Sequence, residues 1–216
     1  NAKMSSAMVQ QVKRLVNQTR ETKYLTQWNI EQSINTNWAT PYVLPITLAP
    51  SQGSQSNQRV GNKISPVGFK FSAVVHNNSS QTVMVRVLIM QIMDGKTSDS
   101  NVCNTLFEGA GGQDVTPTPT MISLIRKVNR EEFIVLKDDI IALGYDAAGY
   151  SSPNPRVVAY KHYAKLSGEQ TFHDINDELP ENDRIVVVLL PVRADGDESL
   201  GESVEISYTS DFYYKD

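Results

Sequence analysis

Phe69-Lys70-Phe71-Ser72-Ala73-Val74-Val75, the polar turn Asn77-Asn78-Ser79-Ser80, and the run Thr82-Val83-Met84-Val85-Arg86-Val87-Leu88-Ile89-Met90-Gln91-Ile92 decide the fold class. In the first run Phe69, Phe71, Ala73 and Val75 alternate with Lys70, Ser72 and Val74, the period of two expected of a strand with one face in a core. The second run is β-branched and aliphatic on both parities, as in a strand buried on both faces. A short Asn/Ser turn between two such runs predicts a hairpin.

Outward from this pair the same grammar repeats. Lys23-Tyr24-Leu25-Thr26-Gln27-Trp28-Asn29-Ile30 alternates polar with apolar or aromatic residues, which predicts a half-buried strand with Trp28 packed. Further strands are expected at Phe133–Leu136, Ile140–Leu143, Val157–Tyr163, Ile185–Leu190, Val204–Tyr208 and Phe212–Tyr214, for eight to nine in all. Turn signals separate them, among them Asp146 to Pro155 and Asp195-Gly196. Residues 49–58 form a polar Ser/Gln loop for which mobility is expected, and 94–120, with four glycines and two prolines, read as a long excursion between strands. The one substantial helix is expected at 4–17, where Met4, Met8, Val12, Leu15 and Val16 recur at spacings of three and four. With no βαβ alternation and no fixed repeat, the class is all-β, a two-sheet sandwich or closed barrel. Spacing leaves immunoglobulin-like and jelly-roll topologies both open.

At 216 residues one domain is expected, and 40% hydrophobic residues with no apolar run near the length of a membrane span argue against a membrane role. The single cysteine, Cys103, permits no intrachain disulfide and suits a reducing compartment, as a small apolar filler in preference to a reactive thiol. The net charge of −4 is unevenly spread. Residues 1–30 carry +4, from Lys3, Lys13, Arg14, Arg20 and Lys23 against Glu21, whereas 137–216 carry −9. A basic end on an acidic protein is the pattern of one end meeting a polyanion.

Catalytic and metal signatures are sparse. His76, His162 and His173 have no second histidine or carboxylate at a metal-binding spacing. His173 stands beside Asp174, but no nucleophile elbow accompanies it. Gly109-Ala110-Gly111-Gly112 lacks the Gly-Lys-Ser/Thr ending of a phosphate loop and reads as a flexible turn. The acidic turn Asp195, Asp197, Glu198 offers weak ligands for a structural calcium, although a solvated acidic loop is the plainer reading and no cofactor is otherwise implied. Trp28, Trp38 and nine tyrosines could stack on single-stranded bases, but aromatic residues serve more often in cores and interfaces.

Several strings in order carry a family resemblance. Glu21-Thr22-Lys23-Tyr24 follows a basic helical segment, and Arg59-Val60-Gly61-Asn62-Lys63-Ile64 precedes a strand. Val83 to Gln91 holds an arginine in an apolar ladder; Ile122 to Phe133 leads to Val135-Leu136-Lys137-Asp138; and Tyr208 to Asp216 closes the series. Together, over residues 20–216, they resemble capsid proteins of small circular single-stranded DNA viruses that encode a replication initiator, which are related to capsid proteins of some small positive-strand RNA viruses. The resemblance implies an eight-stranded jelly-roll β-sandwich with a short N-terminal helix. It also implies a non-enzymatic coat protein, many copies of which form a small icosahedral shell around a genome, with single-stranded DNA expected, inside a virion assembled in the host nucleus or cytoplasm. Residues 21–216 would be the shell domain and 1–20 an interior-facing arm.

Family members carry an Arg/Lys-rich arm, yet before Lys23 this sequence has only Lys3, Lys13, Arg14 and Arg20, so a longer arm is expected ahead of Asn1. These four and Lys23 are the candidate genome contacts; the alternative is that helix 4–17 packs beneath the sandwich with its basic residues solvated. The rival function is a carbohydrate-binding β-sandwich, because lectins share the architecture.

Overall fold

In a computed structural model, residues 8, 10, 11, 21–37, 41–45, 50, 53, 58–93, 99–147, 150–172, 180, 184–196 and 203–216 are described. Eight long or central strands build the body: β1 (Lys23–Asn35), β2 (Tyr42–Pro45), β3 (Lys63–Asn77), β4 (Val83–Ile92), β7 (Phe133–Leu143), β10 (Val157–Lys165), β12 (Arg184–Arg193) and β13 (Ser203–Lys215). The short pairs β5 (Phe107–Glu108) with β6 (Asp114–Val115), and β8 (Asp146–Ala147) with β9 (Tyr150–Ser151), are local hairpins, and β11 (Gln170–Thr171) adds to the start of β3. Among the described residues helix is minor: Met8, Gln10 and Gln11 are helical, and Ile122–Ile125 forms one turn, α1; the rest of the expected helix 4–17 lies outside the described residues.

The first sheet runs β1-β13-β3-β10 and the second β2-β12-β4-β7, all pairs antiparallel. Each sheet thus interleaves strands from both ends of the chain, the double Greek-key order of a jelly roll. Between the sheets lies the main core, including Phe69, Phe71, Val75, Val85, Val87, Ile89, Val187, Ile206 and Phe212.

The order corrects the reading of the decisive stretch. β3 and β4 are not a hairpin: β3 pairs with β13 and β10 in one sheet, β4 with β12 and β7 in the other. The turn between them is an arch that crosses the core. Asn77 holds it, donating from Nδ2 to the carbonyls of Gln81 and Gly144 at 2.8 Å each and accepting the Ser79 amide at 2.9 Å. The physical reason is burial. β4 is apolar on both faces and belongs in a sheet covered on both sides, while β3 has a polar face and belongs in one that is not.

That double cover comes from the excursion. A second apolar cluster on the outside of the second sheet joins Leu88, Met90, Ile92, Val186, Val188 and Leu190 to Val102, Leu106, Phe107 and Val128. Arg86 rivets the cover down. It is buried in β4, donates to both carboxylate oxygens of Asp138 at 2.8 and 2.7 Å, and donates from Nη1 to the Ser123 and Arg126 carbonyls at 2.8 Å each. Arg59 is equally structural: fully buried, it donates to the carbonyls of Pro50 and Gly61 and lies over the Phe172 ring at 4.2 Å.

Candidate interaction surface

The first sheet has no such cover among the described residues. Its outward positions follow from register, and they form rows across all four strands. Tyr24, Tyr213, Gly68 and Lys165 make one row; Thr26, Asp211, Lys70 and Tyr163 the next; Trp28, Thr209, Ser72 and Lys161 the third. Beyond these lie Ser207, Val74 and Ala159, then Ser33, Glu205, His76 and Val157.

A bulge shapes the β1 side of the surface. Leu25 and Ile34 both pack inward although their numbers differ in parity, so one residue has to be skipped. Register shifts between Asn29 and Gln32, with Glu31 at φ 55°; the Ser207 hydroxyl accepts the Glu31 amide at 3.0 Å and Asn29 Oδ1 accepts the Ile30 amide at 2.9 Å. Ile30 and Glu31 both remain outside.

Trp28 is therefore not packed, as its strand pattern suggested, but 64% exposed, with Ile30 beside it at 62%. Alternation reports which side chains share a face and not which face is covered. Trp28 walls an open depression of about 360 Å³ with Ile30, Val74 and Lys161, over a floor of Ser72, Ser207, Thr209 and Ala159. In the first row Tyr24 and Tyr213 sit 6.3 Å apart between ring centroids. Tyr163 reaches over Gly68, where a Cβ would meet the Ala164 carbonyl oxygen at 2.8 Å as well as the Tyr163 hydroxyl at 2.7 Å, so the backbone itself leaves no room for a side chain there. Burial pushes the Tyr213 hydroxyl pKa up, and Asp211, Tyr163 and Tyr24 reinforce the shift.

The charges on this face are unequal in their engagement. Among the described residues, Lys70, Lys161 and Lys165 are exposed and have no carboxylate within ion-pair distance. Asp211 accepts the Thr26 hydroxyl at 2.7 Å, and Glu205 lies 3.8 Å from His76; Glu31 is exposed at the bulge.

At the open side of the sandwich the two sheets meet through β7 and β10. The Tyr160 hydroxyl donates to Asp139 Oδ2 at 2.9 Å, and Lys137 pairs with Asp139 at 2.9 Å. Burial raises the Asp139 pKa, but the bonds from Lys137 and Tyr160 outweigh it and the net shift is downward. His162, on the same inward face as Tyr160, has a lowered pKa, first from burial and then from Lys137, with Asp139 opposing.

The other sequence candidates fall elsewhere. Lys3, Lys13, Arg14 and Arg20 lie outside the described residues, as do Trp38, His173, Asp197, Glu198 and most of 49–58. Lys23 is described: its ammonium donates to the Gln58 carbonyl at 2.6 Å and pairs with Asp216, which ties the start of β1 to the end of β13. Asp195 receives both Nε and Nη2 of Arg193, so its carboxylate is engaged by a cation of the chain itself. No group of three or more His, Cys, Asp or Glu residues is placed to hold a metal among the described residues. Cys103 is buried, and burial pushes its thiol up to about 11, against nucleophilic use. The Gly109–Gly112 segment is the β5–β6 turn, with φ of 78° at Gly111 and 77° at Gly112. The pocket beside it, about 240 Å³, is occupied at its rim by the Lys127–Glu108 ion pair. That lysine and the Arg130 amide hold the Glu108 carboxyl below its usual range. No described helix is long and apolar enough to cross a membrane.

Comparison with known proteins adds little at the level of sequence: no family model and no curated protein matches. Among solved structures, the chain is similar to one from infectious bursal disease virus, Gx strain, at 7% identity and a TM-score of 0.27, over 91% of this chain and 36% of that one. It spans about a third of that relative's length. It is also similar to VP1 of trichodysplasia spinulosa-associated polyomavirus, solved in complex with sialylated glycooligomers, at 11% identity and a TM-score of 0.14, over 90% and 76%. The strand order itself defines the architecture: an all-β jelly roll, a fold typical of viral capsid proteins.

Proposed function

We propose that the chain is the shell-forming domain of a small viral capsid protein, non-enzymatic, many copies of which assemble into an icosahedral shell around a nucleic-acid genome. The observation that carries this reading is the strand order, β1-β13-β3-β10 facing β2-β12-β4-β7. The ordered sequence resemblance supports it and favours single-stranded DNA as the genome. A shell subunit has to be a rigid wedge that makes many weak, repeated contacts, and multivalency then stabilises the whole. A sandwich whose second sheet is clamped on both faces by its own chain meets the first requirement.

Residues 21–216 would form the wedge and 1–20 an interior arm, in a virion assembled inside the host cell. Lys3, Lys13, Arg14 and Arg20 would neutralise phosphate by counterion release, which needs no base reading. Lys23 contributes less to that role, because its charge is shared with Asp216. Negative-stain microscopy of the purified protein tests the proposal: uniform closed particles are expected, and an absence of particles at high concentration overturns it. Neutralising the four arm residues should lower the ratio of absorbance at 260 to 280 nm in those particles; an unchanged ratio removes the arm from packaging.

A further inference from the structure

We propose that the bare outer face of the β1-β13-β3-β10 sheet is a docking platform for single-stranded nucleic acid. Trp28 and the Tyr24–Tyr213–Tyr163 strip stack on bases, and Lys70, Lys161 and Lys165 meet phosphates. The proposal deepens the shell reading and rests on its premise of an enclosed genome, but it assigns the contact to an ordered sheet surface in place of the arm.

Three observations converge on this occupant. The first is the kind of side chain that is left in solvent. Tyr24, Trp28 and Tyr163 are all more than half exposed on one face, and Tyr213 joins Tyr24 in a ring contact. Flat aromatic surfaces held by a rigid sheet stack on any base, because every base has a π-face.

The second is charge. A surface meant for another protein is depleted of lysine at its centre. Here three lysines stand among the aromatic rings with no carboxylate in ion-pair range among the described residues; the same face carries Asp211, which accepts the Thr26 hydroxyl and keeps its charge, Glu205, 3.8 Å from His76, and Glu31 at the bulge. Residues 137–216 are acidic by nine charges, yet their Lys161 and Lys165 are both placed on this face. The basic first thirty residues lead in sequence into β1, the strand that carries Tyr24 and Trp28.

The third is shape. Rows on one face of a strand recur every two residues, about 6.7 Å, so Tyr24 and Trp28 are two such steps apart, with Thr26, Asp211, Lys70 and Tyr163 in the row between them. Beside Trp28, the short side chains of Ser72, Ser207, Thr209 and Ala159 leave the 360 Å³ depression, chiefly apolar in its lining and open to a planar ring.

The test titrates the full-length protein with a fluorescein-labelled 20-nucleotide single strand of mixed sequence, and with its duplex, at several salt concentrations. W28A should weaken single-strand binding about tenfold and leave the salt slope unchanged, with W28F retaining most of the affinity. The triple variant K70A/K161A/K165A should reduce the slope of log affinity against log salt by about two, as expected for three phosphate contacts on a single strand. Thermal melts of each variant should match wild type. Wild-type affinity in both W28A and the triple variant overturns the proposal. So does a W28A protein that binds the strand normally but no longer self-associates, which would make the face a contact between copies. Microscopy of the same preparations separates the two readings. Intact particles with binding independent of Trp28 defeat the platform and leave the shell. Trp28-dependent binding without particles from wild-type protein supports the platform and defeats the shell.

Discussion

The two sheets of this sandwich each hold four principal strands and differ in exposure. The second sheet is apolar on both faces, and the chain covers its outside with Val102, Leu106, Phe107 and Val128. The first is apolar inside only, and outside it leaves Trp28, Ile30, Tyr24 and Tyr163 in water. Covering one sheet internally makes the domain rigid; leaving the other uncovered by any described residue keeps large aromatic groups available to something else. An exposed patch of this kind is costly in solubility and marks an interaction site more often than an accident.

Substitutions should break this contrast in graded fashion. The largest loss is expected from Phe107→Ala, since Phe107 belongs to the cover and is fully buried against the second sheet: about 4 kcal/mol, read from urea unfolding. Arg86→Ala should cost about 3 kcal/mol. It orphans the Ser123 and Arg126 carbonyls, but Asp138 is 38% exposed and can be rehydrated. An unfolding midpoint within error of wild type for either variant would mean that the cover is not part of the cooperative unit.

A smaller effect is expected from pH. The folded-state pKa of His162 lies below its usual 6.5, so its contribution to stability is fully present above about 6.5 and is lost as pH falls through the folded value. The histidine titrates between sheets joined by the Tyr160–Asp139 bond, with Lys137 and Asp139 as its charged neighbours. Unfolding free energy should therefore decline modestly from pH 7.5 to 5.5, and His162→Gln should flatten that decline. The smallest change is expected from Trp28→Ala, within about 0.5 kcal/mol of wild type, because the indole packs against nothing that the fold requires. A large destabilisation there would show that the face is covered.

How far the sequence revealed this follows from what periodicity can report. Residues 69–75 and 83–92 were legible as strands, but the turn between them was misread, since a short Asn/Ser connection suits a hairpin and an arch equally. The distinguishing signal was present: Val83–Ile92 is apolar on both parities, whereas Lys70 and Ser72 mark one polar face on its neighbour. Strands expected as separate runs proved continuous. β7 passes through Lys137-Asp138-Asp139, whose charges pair with one another and with Arg86, and β13 passes through Thr209-Ser210-Asp211, because backbone pairing carries a strand through polar residues. β2 escaped notice because four residues are too few to establish a period. The bare surface was hidden because its residues come from four strands distant in sequence, and alternation gives no hint of which face the chain leaves open.

Sedimentation velocity of the purified protein separates a shell subunit from an isolated sandwich. The account predicts a fast, homogeneous boundary of many copies, which persists at moderate protein concentration. A single monomeric species at all concentrations would contradict it.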